Sequence, residues 1–259
     1  MLQFDAETTR LLEAAYHGAD FSRRRRASFD ALSPAPGETV LDIGCGNGML
    51  TVELARAVGE GGKVIGIDPS ADMLAAGEAR CSGLPQVALQ KGAADALGLA
   101  DASADKAVSI QVFEYIDDIP AALAEVRRAL RPGGRLVLGD MLFGSLVWAS
   151  DDPERMARML AAYEHHLVDP DTPARLPFLL ADAGYTVEAV RPVPFIDHVL
   201  RPDGFAAMML ILVERYAVQN GHVPAAEAGD WAAEQKQRAA EGRFFFSITH
   251  VVVSARKPD

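Results

Sequence analysis

The stretch Asp42-Ile43-Gly44-Cys45-Gly46-Asn47-Gly48 holds the residue types that let a backbone come close to a ligand. It follows the short apolar run Thr39 to Ile43 and precedes a helical pattern from Leu50 to Val58, so the glycines fall in a tight strand-to-helix loop. Their spacing is GxGxG, with Met49 where a dinucleotide fingerprint has its third glycine. Asp42, within the end of the strand, would repel an approaching pyrophosphate. It favours a ligand that carries an ammonium group and no phosphate. A second acid, Asp68, closes Val64-Ile65-Gly66-Ile67-Asp68. A carboxylate at the end of the next strand can accept both hydroxyls of a ribose. Alternatively, Asp68 caps the helix that begins after Pro69-Ser70.

Elements that could position these residues recur along the chain. Thr8, Leu11, Leu12 and Ala15, then Phe21, Ala27, Phe29 and Leu32, have the apolar spacing of two N-terminal helices ending at Pro34 and Pro36. Beyond the loop, strands are predicted over 63–68, 87–90, 106–112 and 135–141. Helices are predicted over 71–80 and 119–130, and Arg131-Pro132-Gly133-Gly134 reads as a turn. Strands alternating with helices imply a parallel sheet, doubly wound and Rossmann-like, with ligands at the strand C-termini. Further on, helices are predicted over 152–166, 172–183, 204–219 and 225–241, with strands over 185–193 and 244–253. The helical stretch 202–241, between the last two strands, is the candidate cap.

Composition narrows the function classes. The chain has 259 residues and a formal charge of −11, which argues against nucleic acid as the main partner. Arg23-Arg24-Arg25-Arg26 is the one basic cluster; it reads as a solvated helix face, or as a source of one inward arginine for an anionic group. No apolar run is long enough to span a membrane, and the N-terminus lacks a secretory pattern. Cys45 and Cys81 are too few for a disulfide framework or a zinc site. A cytoplasmic protein without a metal is expected.

The loop and four further stretches resemble the class I S-adenosylmethionine-dependent methyltransferases, in the small-molecule branch that includes ubiquinone and menaquinone C-methyltransferases and natural-product enzymes. Those stretches are Gly66 to Leu74, Gly92 to Ala96, Gln111 to Asp118 and Leu130 to Leu136, in the family's order and spacing. The resemblance covers residues 36–142 and implies a seven-stranded, mostly parallel sheet whose last strand is antiparallel. It further implies one methyltransferase domain over 1–259, with N-terminal helices over 1–35, a cofactor-binding core over 36–142 and an acceptor-binding part over 143–259. The cofactor is then S-adenosylmethionine. Gly44, Cys45 and Gly46 would pass under its methionine part, Asp42 would lie near the ammonium and Asp68 would hold the ribose, with Pro69 next to it. Met73 would pack on the adenine, Asp95 and the backbone of Ala96 would meet the adenine edge, and Gln111 would line the methionine side.

Methyl transfer is a displacement at a sulfonium carbon and needs a base only when the acceptor must lose a proton. Tyr115, Glu114 and His198 are the candidates, with Asp140, His165, His166 and His250 behind them; the family often has histidine at the position of Tyr115. Phe143, Trp148, Met156, Met159, Phe195, Phe205, Met208 and Met209 serve either as core or as walls for a fairly apolar, aromatic or polyketide-like acceptor. A small-molecule acceptor, and a monomer or homodimer, are expected. Four other identities are set against methyl transfer to a metabolite. An NAD-dependent oxidoreductase is opposed by Asp42 and the missing glycine. Arsenite methylation needs more thiolates than the chain has, and a nucleic-acid methyltransferase lacks its base-flipping motif. A protein of this fold that binds the cofactor without transferring methyl, as a cyclase or binding module, would carry the same loop.

Overall fold

The structure, a computed structural model, describes residues 16–259. The first of the two expected N-terminal helices lies outside these residues. The second is α1 (Ala19–Leu32). In chain order there follow β1 (Thr39–Ile43), α2 (Met49–Val58), β2 (Lys63–Asp68), α3 (Ala71–Arg80), β3 (Val87–Lys91), β4 (Ala104–Ile110) and α4 (Ile119–Ala129). Then come β5 (Leu130–Trp148), α5 (Pro153–Glu164), α6 (Thr172–Asp182), β6 (Thr186–Asp197), α7 (Phe205–Gln219), α8 (Ala225–Ala240) and β7 (Phe246–Arg256).

The strands form one seven-stranded sheet in the order β3-β2-β1-β4-β5-β7-β6. Pairs β1–β2, β1–β4, β2–β3 and β4–β5 are parallel, and the last strand, β7, is antiparallel. This is the expected doubly wound, Rossmann-like α/β sheet. Strand order reverses between β1 and β4, which pair from Val40 opposite Lys106 to Ile43 opposite Ser109. A crevice must open beyond their C-terminal ends, because the chain leaves them in opposite directions across the sheet. β1 is buried along Val40 to Ile43, as a strand covered on both faces must be, and this explains its unbroken apolar run.

β5 runs past the expected 141 to Trp148, β6 past 193 to Asp197, and β7 spans Phe246–Arg256 rather than 244–253; two further differences have a plain physical reason. β4 stops at Ile110 rather than 112, because Gln111 takes a left-handed backbone (φ +58°) that leaves the sheet. β5 begins at once after α4, because the expected turn at 131–134 is absorbed into the strand by a register shift between Ala104 and Lys106, with Gly133 at φ +72°. Helix starts follow their capping residues. Ser70 accepts the Met73 N–H, Asp118 that of Ala121 and Asp152 that of Arg155.

The chain divides into two compact units. The loop-bearing unit comprises 25–141, 171–192 and 251–259; the helical unit comprises 16–24 of the described residues, 142–170 and 193–250. In the helical unit, α5, α7 and α8 pack on one another. Its core holds Phe205 against Phe21, Phe195 and Phe246, and Trp148 against Trp231 and Phe246. The apolar side chains set down above as either core or acceptor walls, from Phe143 to Met209, are all buried in this unit. Its first helical turn is clamped by Asp20, whose Oδ2 accepts from Arg201 (2.6 Å) and from the Phe205 N–H (3.0 Å). The arginine run is not a solvated face throughout. Arg24 is buried over the Phe21 ring, and Arg25 reaches Glu53 in the loop-bearing unit.

His250, on β7 in the helical unit, has no exposed surface and no hydrogen-bond partner at either ring nitrogen. Burial, and secondarily the charge of Arg24, hold its pKa well below 6.5. The folded protein therefore refuses a proton that the unfolded chain accepts. The contribution is intact above pH 6.5 and is lost as pH falls below it, by about 1.4 kcal/mol per unit. His250→Leu is expected to flatten the decline in melting temperature between pH 7 and 5. Equal slopes for the two proteins would contradict this.

Candidate functional site

At the crevice, β1 runs into the glycine loop. The N–H groups of Gly44 and Cys45 both donate to the Ile67 carbonyl on β2 (2.7 and 3.0 Å), so the loop is bent back over the neighbouring strand. The Gly46 N–H donates to Asp68 Oδ2 (2.9 Å) while Asp68 Oδ1 accepts from the Ser70 N–H (2.9 Å). Asp68 thus ties the loop to the end of β2, and the helix-capping role goes to Ser70 instead. Each Asp68 oxygen keeps a second lone pair for a further donor.

Gly44 and Gly46 both need positive φ (+70° and +52°), yet their surroundings differ. A Cβ on Gly44 would lie 2.2 Å from Val112 Cγ2, whereas one on Gly46 would meet nothing within 4 Å. Gly44 is required by packing. Gly46 faces open space, the kind of cradle in which the methionine part of S-adenosylmethionine fits.

Asp42 is buried beneath the loop and accepts from Thr51 Oγ1 on α2 (2.6 Å). Burial pushes its pKa up to about 7, with Asp68 adding to the rise and the Thr51 bond opposing it. Cys45 is buried, and its sulfur lies against Gly66. Burial, then the charges of Asp42 and Asp68, raise its thiol and keep it protonated. On the rim, Pro69 and Met73 are exposed, Met73 at the start of α3. Asp95 and Ala96 are also exposed, on a turn closed by the Ala96 N–H to the Ala93 carbonyl; Gly92 N–H donates to the Asp68 carbonyl and hangs that segment from β2.

After β4, Gln111 opens a turn that continues as a 3-10 segment over Phe113–Tyr115. Glu114 has no exposed surface. Its Oε2 accepts from the Met141 N–H (3.1 Å) and its Oε1 from Gln111 Nε2 (3.3 Å), and Tyr115 bonds the same carboxyl. Asp140, on β5 and equally buried, accepts the N–H groups of Val112 and Phe113 at Oδ1 (2.9 and 3.1 Å). Burial, reinforced by Asp140, pushes Glu114 up to about 8, so at neutral pH it is a neutral acid. Tyr115 is 39% exposed. His198 is exposed and lies in the helical unit. Of the other histidines, exposed His165 stacks on His222 (4.7 Å), and burial lowers the pKa of His166.

The structure therefore brings Asp42, Gly44, Cys45, Gly46, Asp68 and, through Val112, the Gln111–Tyr115 turn together in the loop-bearing unit. Thr51 and Val112 were not legible beforehand: one is a helix residue and the other an apolar residue after a strand, and neither type carries a signal. Asp140 did carry one, as an acid inside the apolar run Leu136 to Met141. Among the described residues no group of three or more His, Cys, Asp or Glu side chains could hold a metal ion, and no helix is long and apolar enough to cross a membrane.

Residues 40–134 match the methyltransferase domain family. The chain is 38% identical over 235 residues to a 37.1 kDa protein in transposon TN4556 of Streptomyces fradiae, covering 88% of this chain and 65% of that one. It is 38% identical over 125 residues to a demethylmenaquinone methyltransferase of Beutenbergia cavernae, covering 48% and 49%. The chain thus spans about half to two thirds of the length of these relatives. A geranyl diphosphate methyltransferase solved with S-adenosylmethionine superposes with a TM-score of 0.59 at 20% identity, covering 98% of this chain and 91% of that one, a likeness of fold. The glycine loop and Asp68 both lie within the residues that match the methyltransferase domain, and the likeness to the solved structures is one of fold.

Proposed function

We propose that the protein transfers a methyl group from S-adenosylmethionine to a small-molecule acceptor. The observation that carries this reading is the bond from the Gly46 N–H to Asp68 beside open space at the β1–β4 crevice. In this reading Asp68 receives the ribose hydroxyls on its remaining lone pairs, and the backbone of Gly44 to Gly46 runs under the methionine part. Pro69 and Met73 lie on the adenine side, Asp95 and the Ala96 backbone at the adenine edge, and Gln111 on the methionine side. Asp42, half ionised near pH 7, would give up its proton beside an ammonium group and gain affinity for it.

When bound, the cofactor supplies an electrophilic methyl on a sulfonium. The protein's own part is to hold an O, N or C nucleophile in line with that carbon and to keep water out. Where the acceptor must lose a proton, Tyr115, 39% exposed beside the buried Glu114, and His198 are the candidates in this reading. The unpaired, buried Cys45 and Cys81 support a cytoplasmic setting. Incubation with S-adenosylmethionine and a metabolite extract of the source organism should yield S-adenosylhomocysteine together with a product heavier by one methyl group. Tight binding of S-adenosylhomocysteine without any methylated product would favour a binding module or cyclase.

A further inference from the structure

The buried pair Glu114 and Asp140 is more than a pair of acids near the site. Asp140 reaches from β5 to the backbone of the turn, at Val112 and Phe113, while Glu114 reaches from the turn to the backbone of β5, at Met141. The brace is reciprocal. It fixes Gln111, whose left-handed backbone is a costly shape for a residue with a side chain; the Gln111 N–H donates to the Gly139 carbonyl (2.7 Å) and its amide donates to Glu114. It also fixes Val112, whose methyl fills the space beside Gly44 so closely that a Cβ there would overlap it. Movement of the turn would be passed directly to the glycine loop.

We propose that Glu114 and Asp140 are a positioning pair that holds the Gln111–Tyr115 turn, and through Val112 the glycine loop, in its cofactor-binding shape. Burial, and then the neighbouring Asp140 carboxyl, favour the proton on Glu114. Losing the Glu114 proton would put two carboxylates side by side without surface exposure, and the relief is to open the brace. The titratable groups facing Glu114 are Asp140 from β5 and Tyr115 from its own turn. The charged side chains of α6, which packs against the turn, are Arg175 and Asp182, and both are exposed. Cofactor affinity is therefore set by a proton that takes no part in methyl transfer.

This inference rests on the cofactor reading above, and S-adenosylhomocysteine binding tests both separately. Dissociation constants measured by calorimetry from pH 6 to 9.5 should rise on the alkaline side for the unaltered protein, approaching tenfold at pH 9 for a group titrating at about 8. Glu114→Gln, neutral at every pH, turns an NH2 group toward one of the donors that Glu114 accepts and should bind somewhat more weakly than the unaltered protein at pH 7. It should lack this rise, keeping only the changes due to Asp42 and to the ligand's own ammonium, which both proteins share. Identical pH profiles overturn the proposal, as does a folded Glu114→Gln protein that no longer binds at pH 7. If Glu114→Gln does not fold, infrared titration of the unaltered protein decides. The band of a protonated buried carboxyl must disappear over the same pH range in which affinity falls, and its absence at pH 7 overturns the proposal. No binding by the unaltered protein at any pH sinks the cofactor reading itself.

Discussion

Asp68→Ala is expected to weaken S-adenosylhomocysteine binding by at least about 100-fold while leaving a folded protein. The side chain accepts two backbone N–H groups, from Gly46 and Ser70, and is only 8% exposed. Hydrogen bonds to a charged group are worth about 1.5–3 kcal/mol each, and losing the Gly46 bond frees the middle of the glycine loop before any ligand contact is counted. The ribose contacts proposed for the same carboxylate add to the loss, and about 2.7 kcal/mol already corresponds to 100-fold. Asp68→Asn separates the two parts. It keeps the shape and one acceptor oxygen but turns an NH2 group toward one of the two N–H donors, so an intermediate loss is expected. Asp72→Ala, an exposed acid in the first turn of α3, serves as the control and should bind normally. Calorimetry on the three proteins checks the series; unchanged affinity in Asp68→Ala would remove the ribose assignment.

The sheet was legible because its inner strands are covered on both faces. Val40 to Ile43 and Val64 to Ile67 show as short apolar runs, and the glycines after the first mark where the chain turns. The helices after Met141 were legible from their 3.6-residue period and their caps, such as Asp152. What the sequence could not show was how far β5 extends, since Pro132-Gly133-Gly134 carries every signal of a turn and only pairing with β4 pulls it into the strand. Nor did it show that β4 ends at a left-handed glutamine. That conformation is held by the Gly139, Glu114 and Asp140 bonds around it, and Gly139 and Asp140 lie far away in sequence.

Site residues divide along the same line. Those that act through backbone geometry, Gly44 and Gly46, can be found from residue type, because few other residues tolerate their conformation. Those that act through a carboxylate are found by type but not by role. The sequence puts Asp42 near an ammonium group and Glu114 among the candidate bases, and the structure gives each a buried protein donor, Thr51 in one case and the Met141 N–H in the other. Burial then moves both toward neutral pH. Burial thus brings two inner carboxyls, one beneath the loop and one in the turn after β4, into the neutral pH range.

Gly44→Ala should be the most damaging single-methyl change in the protein. A left-handed backbone costs a residue with a Cβ about 1–2 kcal/mol. The new methyl would also stand 2.2 Å from Val112 Cγ2, an overlap of the kind that costs a further 1–3 kcal/mol. Val112 cannot withdraw cheaply, because Asp140 holds its N–H. The loop must shift instead and surrender the paired bonds from Gly44 and Cys45 to the Ile67 carbonyl. A loss of about 30-fold to several thousandfold in S-adenosylhomocysteine affinity is expected, with a lower melting temperature. Two glycines with the same backbone sign separate the causes. Gly59→Ala (φ +67°, nothing within 4 Å, at the far end of α2) carries strain alone and should lower stability without touching affinity. Gly46→Ala (φ +52°) carries strain and places its methyl in the open space assigned to the ligand, so affinity should fall more than stability. Adding Val112→Ala to Gly44→Ala should recover the overlap part and leave the strain part. If the double variant binds no better than Gly44→Ala alone, the contact between the post-β4 turn and the loop does not transmit force, and the brace formed by Glu114 and Asp140 loses its route to the cofactor.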